Sequence, residues 1–442
     1  MPASRRQSLS LSSSWVAPSI ISPPITDSEG WTESWKNVLA RDIIDEQVVS
    51  VEADTTVEEA CETLLSEDVH CLAVKTPAIN GSKCIGLFDF SDVNAFLTLA
   101  ATSHTLHPED LLDKPRSNEI VAAARAGHVP VRLVSNYSDK NPLEILPNNA
   151  TVISLLRLFS RGVHRALILS ASCGDFDGYV SDRGLLAWFA SYAAKTPSLQ
   201  SYLSNPLHSL SLPSLNIYAA VIGTTSSSKV LDAMRLMSEE GVSSVAVVDD
   251  ETGALLSAVS VTDIGKIVVP SQSKHVLFTP LHQFISHIKE ADGSTDGADK
   301  YPVYSVSAAN PLTYTMEKLL ATNAHRLFVT ADSRPSSPIQ TSTTYGSLSG
   351  IVSIVDSVLS LFARLANISD VDPTMMQRHR RTSSASSHSS SSDHDLFLRS
   401  LSRSSSRTSI QRRSSFVIPP VIGGRNHSIR SSISSLESLQ KS

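Results

Sequence analysis

The chain has 442 residues, of which 41% are hydrophobic and 18% charged, with a formal net charge of −6. That length allows two or more cores of ordinary domain size, and so modest a charge excludes a global pull toward nucleic acid or an anionic membrane. No run approaches the ~18 consecutive apolar residues of a membrane span. The start, Met1-Pro2-Ala3-Ser4-Arg5-Arg6, lacks the apolar stretch of a secretory signal. Cys61, Cys71, Cys84 and Cys173 show neither Cys-x-x-Cys spacing nor a disulfide framework. A cytoplasmic and nuclear protein with reduced thiols is expected.

Residues 1–33 are rich in Ser and Pro and predict a disordered tail, with Trp31 and Trp35 marking where the chain first docks. Within it Arg5-Arg6-Gln7-Ser8 has the Arg-Arg-x-Ser form of a basophilic-kinase site at Ser8. A first unit is expected over 36–100. It has a strand at Val48–Val51, then a helix with Val57, Ala60, Cys61, Leu64 and Leu65 on one face behind the caps Asp54-Thr55-Thr56. Strands at Cys71–Val74 and Ile85–Phe88 follow, joined by an Asn80-Gly81 turn, and then a helix from Ser91. A second unit (113–195) begins near Val129–Val134. It carries Val152, Leu155, Leu156 and Phe159 on one helix, strands at Ala166–Leu169 and Gly178–Val180, and Leu185, Leu186, Trp188 and Phe189 on its last helix. Residues 196–214 read as a linker.

A third unit (215–272) repeats the pattern with Val230, Ala233, Met234 and Met237, then strands at Val245–Val248 and Leu255–Val259. The polar stretch Glu290–Gly297 leads through a fourth (274–367), with Leu312, Met316, Leu319 and Leu320 on a helix, a strand at Leu327–Val329, an insertion at Ser333–Tyr345 and a helix at Asp356–Leu365. From 370 to 442 the chain is dominated by Ser and Arg and predicts disorder. Arg380-Arg381-Thr382-Ser383 and Arg412-Arg413-Ser414-Ser415 place further kinase sites at Ser383 and Ser415, where each phosphate would add about −1.5 to −2 charges.

These four units are one repeat. Val163-His164-Arg165 with Gly178–Ser181 returns as Ala324-His325-Arg326 with Gly350–Asp356. Related copies are Val242-Ser243-Ser244 with Ser260-Val261-Thr262-Asp263, and Val69-His70-Cys71 with Asp89–Asp92. Asp92 and Asp263 lie 171 residues apart, Gly184 and Asp356 172 apart, so the copies form two tandem pairs.

A strand–helix–strand–strand–helix unit with a Gly-h-h-Ser-x-x-Asp motif (h, hydrophobic) resembles the CBS domain. Four in one chain are similar to the gamma subunit of AMP-activated protein kinase. With the Ser/Arg-rich tail added, the chain most resembles the fungal Sds family of four-CBS cell-cycle and stress regulators. The resemblance implies an α+β fold of two CBS pairs placed face to face, and AMP, ADP or ATP as a regulatory ligand. By the same resemblance Asp92, Asp263 and Asp356 would hold ribose, with Ser181, Ser260, Thr262 and Ser353 assisting, and His164, Arg165, His325 and Arg326 would meet phosphate. Carboxylates accept from ribose hydroxyls, while guanidinium and imidazole donate to phosphate. Three positions depart from the family pattern. Gly184 stands where the second unit would carry its polar residue, His70 replaces an arginine, and Asp89 replaces the hydroxyl residue before Asp92. The same aspartates would also serve as ordinary helix caps.

No His-Glu-x-x-His, Gly-x-Ser-x-Gly or Walker loop is present, so neither catalysis nor a metal site is expected. The implied role is a regulator that restrains a type-2A-class phosphatase in cell-cycle progression, DNA replication or cell separation and nutrient or stress response, with protein kinases acting on the tails. The alternative is an energy-sensing subunit of a kinase complex. Nucleic acid is not an expected partner, because the basic Ser402–Arg407 stretch has no interleaved aromatics. Homodimerisation stays open.

Overall fold

A computed structural model describes residues 20–78, 81–103, 115–171, 175–210, 212, 215, 222–270, 274–291, 304–330 and 348–368. Ser8, Ser383, Ser415, Asn80, the 333–345 insertion and most of 290–297 lie outside the described residues.

Four three-stranded sheets repeat one topology. They are β1 (Ser50–Glu52), β2 (Cys71–Ala78) and β3 (Gly81–Asp89); β4 (Ile145–Pro147), β5 (Arg165–Leu169) and β6 (Phe176–Ser181); β7 (Gly223–Thr225), β8 (Ser244–Val248) and β9 (Leu255–Ser260); and β10 (Ser305–Ser307), β11 (Arg326–Thr330) and β12 (Leu348–Ser353). In each, the middle strand pairs parallel with the short first strand and antiparallel with the third. The register slips at the equivalent place in all four, between Val74/Lys75, Ile168/Leu169, Val247/Val248 and Val329/Thr330. A bulge retained four times is evidence of a repeated unit.

The middle strands read as continuous apolar runs because both of their faces are buried. Side chains alternate across a strand. Leu72 and Val74, like Val245 and Val247, therefore enter one helical core, while Ala166 and Ile168, like Leu327 and Val329, enter the other. Their neighbours point the opposite way. Cys71 and Ala73 meet Leu167 and Tyr179, which joins the sheets of units one and two, and Ala246 meets Phe328, which joins those of three and four. The helices then pack unit one on unit three and unit two on unit four. Tandem pairs thus form through sheets and face each other through helices. Gly265 permits one such contact, since a Cβ there would drive into the Phe90 ring.

Several expected boundaries are corrected. Residues 25–33 lie in the expected tail, yet Ile25–Lys36 is a helix with Trp31 and Trp35 buried. Its continuation docks on unit two, not unit one: Ala40 N–H donates to Ala150 O and Val152 N–H to Val38 O. Val129–Val134 belongs to unit one, where Val57 N–H donates to Val129 O and Val131 N–H to Thr55 O. The second sheet's first strand is instead Ile145–Pro147. The expected linker 196–214 holds a helix, Pro197–Leu203, with Leu199, Leu203 and Leu207 buried. It clips onto unit four through Leu207 N–H to Asn310 O and Leu312 N–H to Asn205 O. Helix Leu281–Ala291, expected within unit four, packs in the core of units one and three, where Leu281 N–H donates to Ser228 O.

Candidate functional site

The Gly-h-h-Ser-x-x-Asp motif places its Ser at the end of a strand and its Asp in the first turn of the next helix. Ser181, Ser260 and Ser353 are the N-caps of those helices, and Asp89 takes that place in unit one. Ser260 Oγ donates to Asp263 at 2.6 Å and accepts from Asp263 N–H, a reciprocal capping box. Ser353 Oγ accepts from Asp356 N–H at 3.0 Å. Asp263, Thr262 and Asp356 remain partly exposed.

The first pair differs. Asp92 is 0% exposed. Its oxygens accept from Asn136 N–H (3.1 Å), Ser138 N–H (2.9 Å) and Ser138 Oγ (2.7 Å), so the carboxylate anchors a loop instead of facing a ribose. Arg165 is also buried, its guanidinium directed at Asp89 (3.4 Å) and Asn141 (3.5 Å), with Glu46 at 3.9 Å. It crosses from unit two to unit one and neutralises acids there. Arg326 is its counterpart in the second pair and donates to Ser243 Oγ of unit three at 3.3 Å. Ser243 O accepts from Val261 N–H, so Arg326 lies at the mouth of the turn that carries Asp263.

At Gly184 the sequence has no side chain, and the structure shows what fills the space. Asp45 accepts from Ser181 N–H (2.8 Å) and from Ser181 Oγ, over the positive end of helix Asp182–Lys195. A Cβ at position 184 would sit 2.5 Å from both Asp45 oxygens. Burial pushes the Asp45 carboxyl up, opposed by the Ser181 donors, with Glu46 and Asp182 adding repulsion. Burial also works against Glu46, yet His70 and Arg165 hold it below the usual range. A cleft of about 360 Å³ beside these groups is lined by Asp45, Glu46, Asp68, His70, Arg183 and Gly184, among others. Its three carboxylates oppose an anionic ligand. Gly184→Ala is expected to expel Asp45, cost about 1–3 kcal/mol and accelerate trypsin cleavage at the exposed Arg41. Unchanged digestion would show that Asp45 does not pin this segment.

The His-Arg dipeptides divide. Their arginines turn into the tandem-pair interfaces, while the two histidines meet between units two and four, with ring centres 5.7 Å apart and near-perpendicular planes. Both approach one oxygen of Asp182, His164 Nδ1 at 2.8 Å and His325 Nδ1 at 3.4 Å. Asp182 is buried, and burial alone would raise its pKa, but the His325 and His164 imidazoles hold it far below the usual carboxylate range. Asp45 and Asp182 escaped the sequence reading, while Asp89, read there as replacing a hydroxyl residue, is the N-cap that Arg165 meets. For Asp182 the available signal was an acid two residues before Gly184 in the same helix turn.

The CBS domain family model matches residues 40–98 and 221–269, units one and three. The chain is a CBS-domain protein, its sheets forming four copies of the unit. A relative from Yarrowia lipolytica named Protein SDS23 is 31% identical over 424 residues, covering 91% of this chain and 81% of its own length. One from Aspergillus niger with the same name is 28% identical, with 87% and 84% covered. The chain belongs to the SDS23 family. Among solved structures, a protein from Methanocaldococcus jannaschii, described as a candidate archaeal homolog of g-AMPK, aligns with a TM-score of 0.49 at 16% identity. That alignment covers 74% of this chain and all of the other.

Proposed function

We propose that the chain is a non-catalytic regulator that senses adenine nucleotides at the Asp263, Asp356 and Arg326 side chains of its third and fourth units and restrains a type-2A-class phosphatase. The observation that carries the nucleotide half is the asymmetry between the pairs. Asp92 is consumed by Asn136 and Ser138, and Asp45 fills the place over helix Asp182–Lys195. Asp263 and Asp356 stay partly exposed beside their hydroxyl partners, with Arg326 near the Asp263 turn. In this reading Asp356 and Asp263 accept from ribose hydroxyls and Arg326 donates to phosphate.

Calorimetry with AMP, ADP and ATP tests it. Wild type should bind, and the double variant Asp356→Ala with Arg326→Ala should lose at least about tenfold in affinity, one charged hydrogen bond being worth about 1.5–3 kcal/mol. Binding untouched by the double variant would place the nucleotide elsewhere.

The phosphatase half is supported by membership of the SDS23 family and by the fungal Sds resemblance. It includes roles in cell-cycle progression and nutrient or stress response, in cytoplasm and nucleus, with kinases acting at Ser8, Ser383 and Ser415. Affinity capture tests it by whether a type-2A catalytic subunit is retained stoichiometrically. A kinase retained in its place would favour an energy-sensing subunit, and retention of neither would count against both.

A further inference from the structure

The structure assigns a second ligand to this chain: we propose that His164, Asp182 and His325 bind a divalent transition ion of the Zn²⁺/Co²⁺ class at the junction of units two and four. This extends beyond the nucleotide reading and does not depend on it. Two imidazoles and one carboxylate, brought from Val163-His164, the first turn of helix Asp182–Lys195 and Ala324-His325, present ligand atoms that all lie within 4.8 Å of one another. His164 Nδ1 is hydrogen-bonded to one Asp182 oxygen at 2.8 Å, and His325 Nδ1 lies 3.4 Å from the same oxygen with no hydrogen-bond partner among the described residues. Nitrogen and oxygen ligands on one tetrahedral Zn²⁺, each about 2.0–2.1 Å from the metal, lie about 3.3 Å apart.

The second observation is independent of the histidines. Asp182 is 1% exposed, and its other oxygen, Oδ1, has no hydrogen-bond partner among the described residues. A buried carboxylate oxygen without a donor calls for an ion or a water. A cation held between Oδ1, Oδ2 and the imidazoles satisfies it and offsets the nearby Asp45 charge. His325 remains 35% exposed at its side chain, which gives the ion a route in and leaves room for a fourth, water ligand. Each imidazole would carry its one proton on Nε2 and present Nδ1 bare: a neutral ring changes tautomer, a protonated ring releases one proton to solvent, and no redox step is involved. The donor set, neutral nitrogen with one carboxylate, favours Zn²⁺ or Co²⁺ over Mg²⁺ or Ca²⁺. The ion would pin unit two to unit four.

The test uses the full chain stripped by chelator and titrated with Co²⁺ alone, read by visible ligand-field absorption, with Zn²⁺ displacement followed by calorimetry. One Co²⁺ per chain is expected. His325→Gln should lower affinity at least about tenfold, the scale on which even outer-shell changes act, and His164→Gln with His325→Gln should abolish the absorption band while circular dichroism stays native. His325→Gln guards against misfolding, because that side chain is partly exposed. Absence of Co²⁺ uptake by wild type at micromolar metal would overturn the assignment, as would equal uptake by the double histidine variant. Adding AMP to the metal-free protein separates the two readings. AMP binding without metal binding sinks only this site, and metal binding without AMP binding sinks only the nucleotide reading.

Discussion

Trp35→Ala is expected to destabilise the protein by about 3–5 kcal/mol, the cost of deleting a large aromatic from a packed core. Trp35 is 0% exposed and stands edge-on to Phe189 (5.0 Å) and Phe362 (5.9 Å). Those two rings stack on each other at 3.9 Å across units two and four. The variant therefore opens a void where helix Ile25–Lys36 and both units meet. Trp35 Nε1 has no hydrogen-bond partner among the described residues, so Trp35→Phe should recover most of the loss. Urea denaturation of the three proteins is the measurement. A loss under about 1 kcal/mol for the alanine variant would mean that this helix is not part of the core.

Asp92→Ala comes next, at about 2–5 kcal/mol, because it leaves the Asn136 and Ser138 N–H groups without their acceptor. This loss should be the same with and without nucleotide, whereas a ribose ligand would show its effect on binding. Burial and the Asp89 carboxylate push the Asp92 carboxyl up to about 8, against the pull of the Ser138 donors. The folded state then holds a proton that the unfolded chain releases near its ordinary value of about 3.9. The contribution of this group is complete below that value and is lost as pH rises toward 8. Relative to Asp92→Asn, wild type should lose up to about 1.4 kcal/mol per pH unit between pH 5 and 8. Parallel pH profiles for the two would show that Asp92 does not carry the proton.

The candidate residues were readable one by one because their chemistry is local. A Ser at a strand end with Asp three residues on is a cap in any setting, and Ser260–Asp263 and Ser353–Asp356 behave so. What each residue faces was not local. His164 and Arg165 are adjacent in the chain, but strand alternation turns them to opposite surfaces, one toward His325 and one toward Asp89. Gly184 reads as a missing ligand until Asp45, 139 positions earlier, is seen in its place.

The repeat was legible from residue order alone. The apolar spacing of Val57–Leu64, Val152–Phe159, Val230–Met237 and Leu312–Leu319, with doubly buried middle strands, dictates four like units, because periodicity is a property of neighbouring residues. Which connecting segment serves which unit emerged from the packing. Residues 38–40 clip onto unit two and 129–132 onto unit one, while 205–208 serve unit four and 279–282 serve unit three. Each clip is a few backbone hydrogen bonds and a small apolar contact. It leaves no periodic mark in the chain, and its partner is fixed by which surfaces the packed sheets leave open.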